Sequence, residues 1–217
     1  MGSVDKGSGM LWSILIAAIP ERYHSVQPLL HSLLESQSVA RMPDVELHYL
    51  MDNRRRSVGE KRNNLLSIAK GEYISFIDDD DEVASDYVSK IYRQIVATRK
   101  SDAPADVICF PQRATLHPAG VIHECTYSLA HWRDRKPDDR RALVASGKPN
   151  VLNWSGPPSH TMIWRRAILD GIEFPSKMFG EDVDLVDLAC ERAKNELVLN
   201  GEPMYFYKFN EETSTTR

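Results

Sequence analysis

The first 110 residues alternate between short apolar runs and longer amphipathic segments, and few architectures accommodate this alternation. Residues 11–19 are continuously apolar and stop at Pro20, as a strand buried on both faces would. Similar runs predict further strands at 45–51, 73–77 and 106–110. The strands of the first half are therefore predicted to be separated by helices.

Each of the three intervening segments has a helical pattern. The second begins at a capping box formed by Ser57 and Glu60, and Gly71 is predicted to close it. The first and third carry apolar residues at helical spacing: Val26, Leu29, Leu30, Leu33 and Leu34, then Val88, Ile91, Tyr92, Ile95 and Val96. This order predicts an α/β fold, with a Rossmann-like, mostly parallel sheet flanked by helices on both faces.

The regular alternation ends after residue 111. Residues 112–158 are predicted to form irregular strands and a mobile loop within the same domain. A helix is predicted from about Ser159 to Asp170, ending at Gly171. Another is predicted to begin at Glu181 and to point four residues inward: Val183, Val186, Cys190 and Ala193. Late strands are expected at 197–199 and 205–209.

Composition limits the function classes. The 217 residues carry a net charge of −4, so no global positive field favours nucleic acid or an anionic membrane. The basic runs at 54–56 and 133–141 are either solvated loops or sites for phosphate or an anionic acceptor. The three cysteines lack metal-site spacing and suit the cytoplasm, and the longest apolar run is too short to span a bilayer. Residues 1–9 are interpreted as an expression leader before one domain, 10–217.

Five consecutive acidic residues, 78–82, follow directly on the third predicted strand. Because ligands of parallel sheets bind beyond the carboxyl ends of the strands, we expect this cluster to meet Pro20–Glu21 and Asp52–Asn53. Alternation along a strand would turn Asp78 and Asp80 one way and Asp79 and Asp81 the other, until the backbone turns. Such an array suits Mg²⁺ or Mn²⁺ with a bound diphosphate, although an acidic helix start facing water has the same pattern.

The stretch GEYISFIDDDDEV, residues 71–83, resembles the DxD signature of family-2 glycosyltransferases with the GT-A fold. Features in the same order extend the resemblance over residues 11–209: Pro20 and Glu21 after the first strand, Asp52 after the second, Lys61-Arg62-Asn63 near a helix start, and GEDVDL at 180–185. The resemblance implies a nucleotide-binding half, 10–111, and an acceptor and catalytic half, 112–217.

The resemblance also implies roles for single residues on the donor side. Ala18, Pro20, Glu21 and Asp52 would surround the nucleotide base, with Arg62 adding a contact to the base or the phosphates. Asp79 would lie near the ribose, Asp80 would bind the metal ion, and Asp78 would support either. Two alternatives remain open from the residues themselves: Asp52 caps the next turn, or Arg62 is a surface helix residue.

On the acceptor side, the resemblance implies that Asp182 of the acidic pair Glu181-Asp182 is the catalytic base of an inverting transfer. A helix N-cap is the competing interpretation of this pair. Ser159, His160 and Trp154 are candidate sugar or acceptor contacts, although Trp154 also suits the core. Many GT-A enzymes bring a later histidine to the metal ion, and this chain has none after His160.

The predicted function is transfer of one sugar from a UDP-sugar to an acceptor hydroxyl, with Mn²⁺ or Mg²⁺, in the cytoplasm. The acceptor is left open among a glycan, a lipid-linked glycan and a modified nucleobase. Two alternatives are a sugar-phosphate nucleotidyltransferase and a non-catalytic binding module of the same fold. The nucleotidyltransferase is disfavoured because AAIPERYHS, residues 17–25, lacks a glycine-rich phosphate loop.

Overall fold

The structure is a computed structural model that describes residues 9–134, 151–177 and 180–210. The predicted leader lies outside the described residues except for Gly9, and most of the basic run at 133–141 lies outside them as well.

Eleven strands and six α-helices are described within these ranges. The strands are β1 (Trp12–Ala18), β2 (Val45–Met51), β3 (Tyr73–Asp78), β4 (Glu82–Val83), β5 (Val107–Cys109), β6 (Gln112–His117), β7 (Val121–Tyr127), β8 (Val151–Gly156), β9 (Ile163–Arg165), β10 (Glu196–Val198) and β11 (Tyr205–Asn210). The helices are α1 (Tyr23–His31), α2 (Val58–Ile68), α3 (Tyr87–Arg99), α4 (Leu129–Asp134), α5 (Arg166–Leu169) and α6 (Glu181–Arg192). Short 3₁₀ turns at Pro20–Arg22 and Val39–Arg41 and a π turn at Ser32–Ser36 flank α1.

A six-stranded sheet in the order β10-β5-β9-β3-β1-β2 forms the centre of the molecule. β1 pairs in parallel with both β2 and β3, and only β9 runs against its neighbours. The chain moves from β1 to β2 and then back across β1 to β3. Right-handed crossovers therefore place α1 and α2 on opposite faces of the sheet, and the reversal creates a crevice at the carboxyl ends of β1 and β3.

The burial of β1 explains its continuous apolar run. Trp12, Ile14, Leu15 and Ile16 are fully buried, which requires cover on both faces of the sheet. The buried Trp12 indole N–H and the buried Ser75 hydroxyl satisfy each other, because the indole donates a hydrogen bond to the hydroxyl at 3.0 Å. The predicted α/β fold with a mostly parallel sheet is confirmed, and the capping box of α2 is present as predicted.

A second sheet, in the order β4-β11-β6-β7-β8, occupies the part of the chain for which irregular strands were predicted. It mixes parallel pairs, β11 with β6 and β7 with β8, with antiparallel ones. β4 follows the acidic cluster directly and pairs with β11, so the second sheet is joined to the carboxyl end of β3. This junction holds the acidic residues against both sheets.

Three details of the predicted secondary structure are wrong. The helix expected at 159–170 is instead β9 followed by the single turn α5, because Ile163 and Trp164 fill the space between β3 and β5. Val183 is 45% exposed and does not point inward. Gly71 does not close α2, which ends at Ile68. A Cβ at Gly71 would lie 2.4 Å from the Ser13 nitrogen, so close packing against β1 requires glycine here.

Two smaller findings concern the membrane and the cysteines. Within the described ranges, none of the helices combines the length and the apolar character that crossing a bilayer would demand. None of the three cysteines forms a disulfide bond, and all three are buried.

Candidate active site

A cavity of about 490 Å³ opens at the carboxyl ends of β1 and β3. The turns after these strands, the start of α2, the inner ends of β6 to β8, residues 157–161 and the start of α6 all line it. Nine of the predicted site residues lie in its wall: Arg62, Asp78, Asp79, Asp80, Trp154, Ser159, His160, Glu181 and Asp182. The fold thus brings the two acidic motifs, about 100 residues apart in the chain, to one cavity.

The four aspartates alternate as predicted. Asp79 and Asp81 are buried, whereas Asp78 and Asp80 are partly exposed towards the cavity. β3 ends at Asp78, and residues 79–80 form a turn closed by a 3.2 Å hydrogen bond from the Asp81 N–H to the Asp78 carbonyl, before β4 begins at Glu82. All four carboxylates contact groups of the protein, and Asp78 and Asp80 are the two that are also partly exposed.

Asp79 connects the turns that follow β1 and β3. Its two carboxylate oxygens accept hydrogen bonds from the Ile19 backbone N–H and from Arg22, both at 2.9 Å. The other terminal nitrogen of Arg22 lies 3.0 Å from the Asp80 carboxylate. Burial, together with repulsion from Asp78 and Asp79, raises the pKa of Asp80 to about 6 even though Arg22 acts to lower it.

Asp81 joins the acidic turn to the second sheet. Its carboxylate accepts hydrogen bonds from the Tyr205 hydroxyl at 2.7 Å and the Lys208 N–H at 2.9 Å. The same hydroxyl accepts from the Asp78 N–H at 3.1 Å. Burial and the charges of Asp78 and Asp80 raise the pKa of Asp81 well above its usual range.

Arg62 is a buried centre of charge rather than a surface helix residue. It is 4% exposed, and its terminal nitrogens contact the carboxylates of Asp78, at 2.6 Å, and Glu181. Its guanidinium also lies 5.4 Å from the centre of the Phe174 ring. Arg62 thereby ties the end of β3 to the start of α6.

His160 lies between the two acidic motifs. Its Nδ1 is 3.0 Å from Asp182 and its Nε2 is 3.3 Å from Asp78. Burial and the charge of Arg62 oppose protonation of the ring, but Asp78 and Asp182 outweigh them and raise the pKa of His160 to about 9. The Arg62 guanidinium, which can only donate hydrogen bonds, also approaches Nε2, to 3.0 Å.

His160 and Arg62 also affect the pKa values of the two neighbouring carboxylates. Burial acts to raise the pKa of Asp182, but the hydrogen bond and the charge of His160 lower it to about 2. Burial likewise opposes ionisation of Asp78, and Arg62 with His160 holds its pKa far below the usual range. Both carboxylates are therefore ionised at neutral pH.

Four predicted nucleotide contacts lie beside the cavity rather than in its wall. Ala18 is buried between Ala17 and Ile19, which line the cavity, and its carbonyl accepts from Lys61 at 2.8 Å. The Lys61 ammonium lies 3.6 Å from the Asp52 carboxylate, whose buried oxygens have no partner at hydrogen-bond distance in the part of the chain that the structure describes. The other two predicted contacts, Pro20 and Glu21, are exposed.

The candidate acceptor residues lie on the side of the second sheet. Trp154 of β8 packs edge-on against Tyr127 of β7, with ring centres 5.4 Å apart. The Ser159 hydroxyl lies 2.6 Å from that of Thr161. Trp154 is thus a wall of the cavity and part of an aromatic pair.

A comparison with protein families matches residues 32–112 to the family described as Glycosyl transferase family 2. The match covers 81 of the 217 residues, less than half of the chain, and marks a resemblance to that family. The matched segment contains the end of β3 with its four aspartates, whereas His160 and Asp182 lie outside it. A comparison with curated proteins found no match.

Solved structures with the GT-A fold resemble this chain. S. aureus TarS 1–349 in complex with UDP-GlcNAc is 18% identical, with a TM-score of 0.62 over 93% of this chain and 59% of that one. TarS 1–349 without a named ligand is 18% identical, with a TM-score of 0.60 over 92% of this chain and 60% of that one. This chain therefore spans about 60% of the length of those two structures. At this level of identity the likeness establishes the fold.

The carboxylates that face the cavity fit a divalent cation that also takes ligands from outside the protein. Within residues 9–134, 151–177 and 180–210, no three His, Cys, Asp or Glu side chains are arranged to hold a metal ion by themselves. Mg²⁺ commonly takes one or two carboxylates and completes its shell with phosphate oxygens and water. Asp80, partly exposed and crowded by like charges, is a carboxylate of this kind, and Asp78 is its neighbour.

Sequence reasoning missed the cationic and hydroxyl groups that hold the carboxylates. Arg22, Lys61 and Tyr205 were given no role, yet each contacts a residue of the predicted site. Arg22 and Lys61 were visible as charges within predicted strand-end and helix-start motifs. Tyr205 had no signal beyond its place in a late strand, because its partner is 124 residues away.

Proposed function

We propose that the protein is a family-2 glycosyltransferase that transfers a single sugar from a UDP-sugar to an acceptor hydroxyl. One observation carries the proposal: the carboxylates that end β3 and the carboxylate of Asp182 line the same cavity, linked through His160. The complex of the TarS relative with UDP-GlcNAc supports a UDP-sugar as donor. The cytoplasm is where we expect the reaction to take place.

On the donor side, the turns after β1 and β3 would bind the nucleotide. Ala17 and Ile19 line the cavity, and Asp79 fixes the Ile19 backbone through a 2.9 Å hydrogen bond. Asp52, which lies near the Lys61 ammonium beside the cavity, would accept from a donor group of the base. Asp80 and Asp78 would hold Mn²⁺ or Mg²⁺, which neutralises the diphosphate leaving group when bound.

On the acceptor side, Asp182 would act as the general base. Its carboxylate is ionised at neutral pH, and the His160 N–H fixes one of its oxygens at 3.0 Å. A base of low pKa removes a hydroxyl proton once attack on the sugar has made that hydroxyl acidic. Attack opposite the leaving group inverts the anomeric configuration. Glu181 is buried and forms an ion pair with Arg62, so we propose that it holds the start of α6 in position and does not take part in the reaction itself.

The acceptor would enter between the two sheets, beside Trp154 and Ser159. A glycan or a lipid-linked glycan fits the aromatic pair of Trp154 and Tyr127, because sugar rings pack on aromatic faces. A modified nucleobase would use the same face. The basic residues Arg54 and Arg56 at the rim would favour an acceptor that carries phosphate.

A UDP-release assay with a panel of UDP-sugars and Mn²⁺ tests the proposal. Asp182→Asn should reduce the rate about 100-fold or more, the scale of general-base catalysis, without loss of UDP binding. Asp184→Asn is the matched control, because Asp184 begins the same helix but is exposed and paired with Lys177. Its rate should equal that of the wild type.

Other outcomes separate the competing functions. UDP-sugar binding without any release of UDP would identify a binding module and contradict the proposal. Pyrophosphate formed from UTP and a sugar phosphate would identify a nucleotidyltransferase. An unchanged rate of UDP release in Asp182→Asn would show that Asp182 is not the general base, but it would not contradict the assignment as a transferase.

A further inference from the structure

Arg22 spans the two central aspartates of the acidic cluster. One terminal nitrogen lies 2.9 Å from Asp79 and the other 3.0 Å from Asp80. The side chain comes from the 3₁₀ turn after β1, is mostly buried and lines the cavity. A guanidinium with both ends on carboxylates is a fixed positive charge at the place where like charges crowd.

The two carboxylates differ in how much they depend on Arg22. Asp79 also accepts from the Ile19 N–H, so its position does not rest on Arg22 alone. Asp80 is 30% exposed in its side chain, and Arg22 is the cation that contacts it within the described residues. Asp78 has a separate cation in Arg62. Among Asp78, Asp79 and Asp80, Asp80 is therefore the carboxylate that a second cation would bind most readily.

We propose that Arg22 is a resident counter-cation of the donor site, which competes with a divalent metal ion for Asp80 while it keeps Asp79 in place. This inference rests on the proposed function, because the metal ion is the one expected to accompany the UDP-sugar. Binding of the ion to the Asp80 oxygen that contacts Arg22 requires that contact to open. The guanidinium stays beside the site on Asp79 and repels the incoming ion.

The arrangement has a direct consequence for metal affinity. Without nucleotide, the ion must both displace Arg22 and tolerate its charge, so the wild-type protein binds Mn²⁺ weakly. A diphosphate supplies the additional negative charge that offsets the guanidinium. The metal ion and the nucleotide therefore each increase the affinity of the protein for the other. Removal of the Arg22 charge weakens this coupling, because it strengthens metal binding in the absence of nucleotide.

Calorimetric titration of Mn²⁺ into nucleotide-free protein tests the inference without an activity measurement. Arg22→Met should bind Mn²⁺ at least about tenfold more tightly than the wild type. Coulomb's law gives a factor of this size for the repulsion between a double and a single positive charge about 5 Å apart in water. Arg22→Gln should show the same gain and keeps a donor for Asp79, so it serves if the methionine variant fails to fold. Adding Asp80→Asn to either variant should abolish the gain.

Arg54→Met is the matched control. Arg54 lines the same cavity but is exposed and paired with Glu21, so its removal should change Mn²⁺ affinity by less than about twofold. Unchanged Mn²⁺ affinity in both Arg22 variants, or an equal gain in Arg54→Met, would overturn the inference. Release of UDP by the wild type would in that case still support the proposed function, so the two failures are distinguishable.

Discussion

Replacement of Tyr205 by phenylalanine is the sharpest test of how the two sheets are joined. The Tyr205 hydroxyl donates to Asp81 at 2.7 Å and accepts from the Asp78 N–H at 3.1 Å. Phenylalanine keeps the buried ring but removes both hydrogen bonds, one of them to a carboxylate. A hydrogen bond to a charged group contributes about 1.5–3 kcal/mol, so we expect a loss of about 2–4 kcal/mol in the free energy of unfolding.

The loss should also grow with pH. Burial raises the pKa of Asp81 in the folded protein above its unfolded value, so ionisation of Asp81 costs stability as pH rises between the two values. The Tyr205 hydroxyl favours the ionised form and lowers this cost. Without the hydroxyl the folded pKa of Asp81 rises further, and the difference between wild type and variant is larger at pH 8 than at pH 5.

Urea unfolding followed by tryptophan fluorescence measures both effects. Tyr73→Phe is the control, because Tyr73 is equally buried and donates a neutral hydrogen bond to the Ala105 carbonyl at 3.1 Å. It should cost about 1 kcal/mol, with no dependence on pH in this range. Equal losses for Tyr73→Phe and Tyr205→Phe, or a loss for Tyr205→Phe that shrinks as pH rises, would refute the reasoning.

Three further predictions concern the first sheet and the buried charges. Gly71→Ala should destabilise the protein by at least about 1–3 kcal/mol in urea unfolding, because the new Cβ meets the Ser13 backbone. Burial acts to raise the pKa of Glu46, but hydrogen bonds that include one from the Ser13 hydroxyl lower it overall. The wild type should therefore be more stable than Glu46→Gln at neutral pH, and this difference in the free energy of unfolding should fall as pH drops below about 4. Arg62→Met should cost about 3–5 kcal/mol by calorimetry because it leaves Glu181 buried without its cation, and Arg62→Lys should cost less.

The first half of the fold was predictable because each of its elements has a local signal. β1 is an unbroken apolar run, and β2 begins and ends at the predicted residues, Val45 and Met51. The start of α2 follows from two side chains three residues apart, Ser57 and Glu60, each of which bonds to the other's backbone N–H. Tertiary contacts were not needed to place any of these boundaries.

The second half could not be read in the same way, because its elements depend on distant partners. Ile163 and Trp164 suit a helix or a strand equally, and the strand forms because β3 and β5 leave a gap between them for an antiparallel neighbour. β11 lies between β4 and β6, which are separated from it by about 90 to 120 residues of chain. No pattern within 205–210 specifies those partners.

The site shows the same division between local and distant signals. The predicted alternation of burial from Asp78 to Asp81 is present, although a turn at residues 79–80 produces it instead of a continued strand. The groups that hold these carboxylates come from four other elements: Arg22 before α1, Arg62 in α2, His160 before β9 and Tyr205 in β11. Sequence alone therefore identified the negative charges and not the positions they take.

The distant partners also change what the acidic cluster means. A run of bare carboxylates would repel itself and would need a metal ion to become ordered. Here Arg22 and Arg62 neutralise much of that charge, and hydrogen bonds from the Ile19 N–H and the Lys208 N–H fix Asp79 and Asp81. The proposed metal ion would therefore not be needed to hold these two carboxylates. We expect the metal ion to contribute mainly by binding Asp80 and the diphosphate. The Mn²⁺ affinity of the Arg22 variants therefore tests this site more directly than their free energy of unfolding does.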